Sequence, residues 1–301
     1  MNARSIINSR FGVETALWAG RILSPKVGHA FAGLVADQIS RRKNLDPVRA
    51  LRANQYVVHG MQVGSEELDR LVRDAYRCAA RCIFDFYHWM DDEQALLSRV
   101  IVEPSFEEII QKSIHAECGT LLAMPHIANF DLVGRAIIKH GLQFQAITPP
   151  TPPGGYQLQN KLRSEAGMVV TPASYEAVRS AAQRLRAGGC VITGADRPIA
   201  GSPIQPRFFG LPASVPLVHI RLGLRLNLPV SVIGIGQDRN GIYHIWASSP
   251  VELAHFSDPG EEVLANAEVV LKSIAQNIRD YAVQWNMTYP VWPQVLNEVP
   301  Q

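Results

Sequence analysis

The segment Met124-Pro-His-Ile-Ala-Asn-Phe-Asp131 carries a histidine and a carboxylate at a spacing that could move a proton. A short apolar run, Gly119–Pro125, precedes it and a helical pattern follows, which places His126 on the turn at a strand's carboxyl end. In open α/β sheets, ligands bind at that edge. Asp131 falls in the first turn of the helix, where its carboxylate can turn back to accept the His126 Nδ1–H. That bond would fix the tautomer, leave Nε2 as a base and stabilise the imidazolium that forms. Imidazole, with an ordinary pKa of about 6.5, suits activation of a hydroxyl near neutral pH. A plainer reading has His126 capping the turn and Asp131 serving the helix N-terminus.

Two arginines extend this chemistry. Arg163 and Arg197 could each hold a phosphate, or a thioester oxygen as charge develops on it. Asp196-Arg197 follows the buried run Cys190–Ala195, so it too belongs at a strand's carboxyl end. The alternatives are an exposed helix residue beside Lys161 for Arg163, and an ion pair at a turn for Asp196-Arg197.

The elements that must position these groups alternate. Residues 65 to 90 repeat apolar side chains at helical spacing, with Glu66 and Glu67 in the first turn. A shorter helix is expected near 105–116. Apolar runs then read as strands buried on both faces at Gly119–Pro125, Phe144–Thr148, Met168–Thr171, Cys190–Ala195 and Val230–Ile235. Ile242–Ser248 alternates and reads as an edge strand. Helical patterns at about 129–140, 156–165, 174–187 and 215–226 fall between them, and a last amphipathic helix runs from Val263 through Tyr281 to Trp285. The fold class is therefore α/β, a mainly parallel sheet covered by helices on both faces. Pro149–Gly155 reads as a stiff loop at a strand end.

Composition narrows the function. The 301 residues are 47% hydrophobic and 19% charged, with a net charge of +2, which gives no reason to expect a nucleic-acid partner. Cys78, Cys82, Cys118 and Cys190 form no CxxC pair and read as reduced core thiols. No run approaches the ~20 apolar residues of a membrane span, and no signal-peptide pattern opens the chain. Instead Phe11, Val13, Leu17, Trp18, Ile22, Leu23, Val27, Phe31, Leu34 and Val35 precede Arg41-Arg42-Lys43. An apolar helix ending in a basic cluster suits the surface of an anionic membrane, or a first helix packed on the core. Two regions are expected: membrane-associating helices over 1–60 and one α/β domain over 61–301.

His-Ile-Ala-Asn-Phe-Asp resembles the HxxxxD/E motif of the lysophospholipid acyltransferase superfamily. It is closer to the His-x-Gly-Asn-Trp-Asp/Glu form of lipid A late acyltransferases and phosphatidylinositol mannoside acyltransferases. The likeness continues through Leu68-Asp69-Arg70-Leu71-Val72-Arg73, Leu162-Arg163-Ser164, Gly194-Ala195-Asp196-Arg197, Phe208-Phe209-Gly210-Leu211-Pro212-Ala213, Gln284-Trp285 and Pro290-Val291-Trp292. It implies an acyl-CoA or acyl-carrier-protein donor, a lipid acceptor, and direct transfer to a hydroxyl with no cofactor and no metal. It makes His126 and Asp131 catalytic, and Asn129, Arg163, Asp196 and Arg197 substrate-binding. It also implies a peripheral protein on the cytoplasmic face of the inner membrane.

Ala128 and Phe130 replace the family's Gly and Trp. Thr148 stands where relatives tend to carry a charge, and no Glu stands near Gln205. Those two gaps bear on acceptor identity. Rival readings are a metal-dependent hydrolase using His126 and Asp131, an inactive lipid-binding protein on the same fold, and a nucleotide-binding module at Gly234-Ile-Gly236, which lacks the third glycine.

Overall fold

A computed structural model describes residues 10–150 and 154–301. The side chains of Phe11 and Val13, and part of the Pro149–Gly155 loop, lie outside the described residues. The described chain begins with helices α1 (Arg10–Ile22), α2 (Pro25–Ser40), α3 (Asp46–Val58), α4 (Ser65–Trp89) and α5 (Glu93–Ser98). Strand β1 (Val100–Val102) and helix α6 (Pro104–Ile114) lead into the alternating part. That part runs β2 (Thr120–Met124), α7 (Phe130–Lys139), β3 (Phe144–Thr148), α8 (Gly154–Glu165), β4 (Val169–Pro172), α9 (Tyr175–Arg186) and β5 (Cys190–Gly194). A small hairpin, β6 (Arg207–Phe208) and β7 (Leu211–Pro212), precedes α10 (Val218–Leu226), β8 (Val230–Gln237), β9 (Tyr243–Ala247) and α11 (Pro259–Asp280).

The sheet order is β1-β9-β8-β2-β5-β3-β4, with β8, β2, β5, β3 and β4 mutually parallel. The α/β class and its mainly parallel sheet are as the sequence implies. Leu121, Leu122, Val191, Ile192, Val230 and Val232 are buried along the central strands, because helices cover both faces. Helix starts follow local chemistry: Asn129, Ser174 and Asp258 side chains accept backbone N–H bonds in the first turns of α7, α9 and α11.

Two sequence expectations are corrected. β9 is antiparallel to β8 but is not an edge, because β1 pairs along its outer side. A three-residue strand has too few positions for its alternation to register. The last helix ends at Asp280, and Trp285 lies beyond a 3₁₀ turn. The helices over 1–60 also contribute to the core shared with the α/β part. Val48, Leu51, Asn54 and Gln55 of α3 are fully buried, and the Asn54 amide donates to the carbonyls of Met287 and Tyr289 at 2.6 and 2.8 Å.

The N-terminal apolar stretch is two helices, broken before Pro25. Gly28 lets α2 lie directly on α4: a Cβ there would sit 2.0 Å from the Phe84 ring. His29 Nε2 bonds Asp85 on α4 at 2.6 Å. The outer faces keep Trp18, Ile22, Val27, Phe31 and Leu34 between 53% and 67% exposed. No helix among the described residues is long and apolar enough to cross a membrane. The four cysteines are free thiols; Cys118 is exposed, so it is no core thiol.

Candidate active site

Strand register builds the site. β2 and β5 are parallel neighbours with Met124 opposite Gly194, and the Ala195 N–H continues the ladder to the Met124 carbonyl at 3.0 Å. Two residues beyond each strand stand His126 and Asp196, so the two side chains emerge side by side at the sheet's carboxyl edge. His126 Nδ1 lies 2.6 Å from Asp196 Oδ1, and the His126 backbone N–H donates to Oδ2 at 2.8 Å. The Trp285 indole N–H also donates to Oδ2, at 2.7 Å. Asp196 and Trp285 are fully buried. A carboxylate is acceptor-only, so the short contact requires a proton on Nδ1 and leaves the lone pair of a neutral ring on Nε2. Gly194 makes room for this: a Cβ there would lie 2.7 Å from His126 Cε1.

Asp131 therefore has a different place from the one its spacing suggests. It does not bond His126. Arg163 donates to both its oxygens, Nε to Oδ1 at 2.6 Å and Nη2 to Oδ2 at 3.1 Å, tying α7 to α8. Burial would lower the Arg163 guanidinium's pKa, but the Asp131 carboxylate outweighs it and holds the group above its ordinary value. Arg163 is thus a buried, paired cation, not a free phosphate ligand and not the exposed residue of the plainer reading. The first turn of α7 faces α8, while β5 supplies the carboxylate that reaches the imidazole.

The other expected binding residues separate in the same way. Asn129 is buried; its side-chain oxygen accepts the Leu132 N–H at 3.3 Å and its amide donates to the Cys82 carbonyl at 2.8 Å. Its polar atoms tie the start of α7 to α4, and the residue lines the smaller of the two open clefts at His126. Asp196, with no exposed surface, serves His126. Arg197 is different: its guanidinium stacks 4.2 Å from the Tyr289 ring centre and 5.5 Å from that of Tyr156, and no carboxylate pairs with it among the described residues. It lines the same clefts as His126.

Sequence reasoning missed Trp285 as the second clamp on Asp196, and Tyr156 and Tyr289 as the stacking surfaces for Arg197. The Gln284-Trp285 block was visible, but not its function. Gln284 accepts the Ala128 N–H on its carbonyl at 3.0 Å, and its side chain exchanges two bonds with the Gln237 backbone at 2.7 and 2.8 Å. Ala128 itself has φ 49°, the left-handed region that glycine enters most readily.

His126 stands where three cavities meet. One, about 230 Å³, is lined by Cys82, Ile83, Phe86, Arg163, Asn286 and Tyr289. A second is a narrow apolar slot of about 90 Å³ between α7 and the sheet, walled by Val133, Gly134, Ile137, Phe144, Met168 and Ile233. The third, about 1080 Å³, opens across the ends of β3 and β5 toward α10. Among the described residues, no three His, Cys, Asp or Glu side chains are grouped to hold a metal ion.

The site is thus a carboxylate-held histidine at the carboxyl edge of an open α/β sheet, an arrangement that could move a proton. The sequence matches the model for bacterial lipid A biosynthesis acyltransferase over residues 10–292, and the chain belongs to that family. Phosphatidylinositol mannoside acyltransferases of Mycobacterium tuberculosis strains ATCC 25618 / H37Rv and CDC 1551 / Oshkosh are 24% identical over 196 residues. That stretch is 63% of this chain, and the chain spans only 59% of the length of those relatives. The crystal structure of the 1-acyl-sn-glycerophosphate (LPA) acyltransferase PlsC from Thermotoga maritima is 15% identical, with a TM-score of 0.36, and the match covers 84% of this chain and 97% of that one.

Proposed function

We propose that the protein is an O-acyltransferase that carries a fatty acyl chain from acyl-CoA or acyl-carrier protein to a hydroxyl of a lipid or glycolipid at a membrane surface. Membership of the lipid A acyltransferase family and the mannoside acyltransferase relatives support the reaction class. The observation that carries the mechanism is His126, with Nδ1 held by Asp196 and Nε2 left free where an apolar slot meets two open clefts.

In this reading Nε2 takes the proton of the acceptor hydroxyl as its oxygen attacks the thioester carbonyl carbon. Asp196 stabilises the imidazolium. The carbonyl oxygen becomes an oxyanion, which Arg197, beside His126 in both open clefts and without a carboxylate partner among the described residues, would stabilise. As the carbon–sulfur bond breaks, the imidazolium returns the proton to the departing thiolate, giving an ester and a free thiol. The apolar slot takes part of the acyl chain, and no cofactor is required. Asp131 acts through Arg163, joining the two helices beside the slot.

The exposed apolar faces of α1 and α2 support a peripheral position on a membrane, and the acyl-CoA or acyl-carrier-protein donor of this reading puts it on the cytoplasmic side. Of the basic trio, Lys43 pairs with Asp69 at 2.7 Å, which leaves Arg41 and Arg42 for anionic lipid.

The deciding experiment is lipid mass spectrometry of a host lacking the gene. One lipid species should lose an acyl chain, and the wild-type gene should restore it. His126→Ala should not restore it, with transfer by the purified variant down on the order of 10²–10⁴-fold. Full activity in that variant would overturn the mechanism.

A further inference from the structure

The largest of the three cavities at His126 has an asymmetric lining. It begins at His126, passes Thr148 and Arg197, and ends against α10. Much of its wall is apolar, including Ile147, Val178, Ile199 and Val215. Among the described residues, its charged side chains besides His126 are Arg197, Arg221 and Arg225, and no aspartate or glutamate lines it. Arg221 and Arg225 stand four residues apart on α10, hence on one side of the helix. Ile220, Leu222 and Gly223 turn the other side into the core. Both arginines are exposed along the cavity, and neither side chain has an ion pair or hydrogen-bonded partner among the described residues.

A cation at a helix C-terminus is stabilised by the helix dipole, which accounts for Arg225 in the last turn of α10. It does not account for Arg221, one turn earlier, nor for a wall with no acid to answer three guanidinium groups. Guanidinium forks suit phosphate oxygens, and an apolar wall beside them suits an amphiphile.

We propose that Arg221 and Arg225 form an anion subsite that holds a phosphate ester of one substrate while its reactive end lies at His126. This rests on the acyl-transfer reading for the identity of the substrate, though not for the existence of the subsite. Two sources supply the group: the phosphates of coenzyme A on the donor side, and a phosphodiester headgroup on the acceptor side.

The test compares the full-length wild type with Arg221→Gln/Arg225→Gln, using ligands that need no turnover. Calorimetry would measure affinity for coenzyme A and for pantetheine, which carries no phosphate. Sedimentation would measure binding to phosphatidylglycerol and phosphatidylcholine vesicles. The variant should melt like the wild type and lose at least about tenfold in affinity for coenzyme A or for the phosphatidylglycerol vesicles. Its affinity for pantetheine and phosphatidylcholine should be unchanged. Loss confined to coenzyme A assigns the subsite to the donor, and loss confined to phosphatidylglycerol assigns it to the acceptor. Equal binding by both proteins, or a loss as large for pantetheine or phosphatidylcholine, overturns the subsite. Arg221→Lys/Arg225→Lys guards against a folding artefact, since retained charge should recover part of the affinity. An overturned subsite leaves the His126 mechanism standing, whereas phosphate-dependent binding by a protein that transfers no acyl chain would separate the two in the other direction.

Discussion

Two histidine–aspartate pairs in this molecule have almost the same wiring. His126 lies 2.6 Å from Asp196, whose second oxygen accepts an indole N–H from Trp285. His29 lies 2.6 Å from Asp85, whose second oxygen accepts the Tyr243 hydroxyl at 3.0 Å. Both carboxylates are buried. What differs is the space around the ring. The free nitrogen of His126 opens on three cavities at the sheet's carboxyl edge, and its own backbone N–H is clamped to the same carboxylate. His29 sits edge-on to Phe84 between α2 and α4, with ring centres 5.2 Å apart, and lines none of those cavities. A buried carboxylate orients a histidine in either case; only the cavity makes the orientation useful for chemistry. One pair fits a base, the other a staple between helices.

The largest test of that contrast is the same substitution in both pairs. Asp196→Asn should cost on the order of 10²–10⁴ in transfer rate, because an amide can favour the wrong tautomer and cannot stabilise imidazolium. Combined with His126→Ala it should add little, as groups acting as one unit do. Asp85→Asn should leave turnover near wild type and cost about 1–3 kcal/mol in stability, read by urea unfolding. Comparable rate losses in the two variants would erase the distinction. Asp131→Asn is a useful third arm: if it slows transfer as much as Asp196→Asn, the Arg163 bridge matters to the chemistry as much as the base's own partner.

A third histidine sharpens the comparison from the other side, because it has no carboxylate at all. His219 is buried between α10 and the sheet, 3.2 Å from the Thr193 hydroxyl, and burial alone pushes its pKa down to about 4. The folded protein therefore keeps this ring neutral where the unfolded chain, near 6.5, takes up a proton. Stability is complete above pH 6.5 and falls as pH drops toward 4, by on the order of 3 kcal/mol over that window. Urea melts at pH 8 and pH 4.5 should show the loss, and His219→Asn should flatten it. An unchanged pH slope in the variant would assign the acid sensitivity elsewhere.

How much of this was legible beforehand depended on range. The alternating strands and helices could be read because their periodicity is local, and His126 could be placed at a strand end for the same reason. Its partner could not. Asp196 is 70 residues away in sequence, and only the order β2-β5 makes the two strands neighbours. The nearer Asp131 offered a local explanation, and the helix geometry that turns it toward Arg163 left no trace in the five-residue spacing. Trp285 was misread more simply. Its apolar repeat continues the pattern of α11, but the helix ends at Asp280 and the indole turns back to Asp196. The burial of α3 was hidden because its polar side chains, Asn54 and Gln55, resemble surface residues until their carbonyl partners are known.

Trp285 and Tyr243 allow a smaller test, because each supplies the donor to its pair's aspartate that does not come from the histidine. Trp285→Phe removes one of three donors to Asp196 and should lower kcat by about tenfold with little change in KM. The His126 Nδ1 proton resonance should also move, which a merely volumetric defect would not produce. Tyr243→Phe removes the corresponding donor to Asp85 and should leave kcat alone. If kcat falls in Tyr243→Phe, the His29 pair communicates with the site, and the route would be Asn129, whose amide lies 3.4 Å from the Tyr243 hydroxyl.

The smallest expected effect concerns the residue between His126 and Asn129. Ala128 sits at φ 49° with its N–H bonded to the Gln284 carbonyl, so the backbone is committed to a left-handed turn that a Cβ disfavours. The related motif carries glycine at this position, and the geometry gives the reason. Ala128→Gly relieves roughly 1–2 kcal/mol of local strain, and the added freedom of the unfolded chain offsets part of it. The variant should therefore be more stable by up to about 1 kcal/mol, with transfer activity retained. Asp85 and His29 have no counterpart to this strained turn, since both lie within helices. A clear loss of stability in Ala128→Gly would mean that the methyl group's contacts outweigh the strain. A loss of activity without loss of stability would mean instead that a stiff alanine turn helps to hold His126 against Asp196.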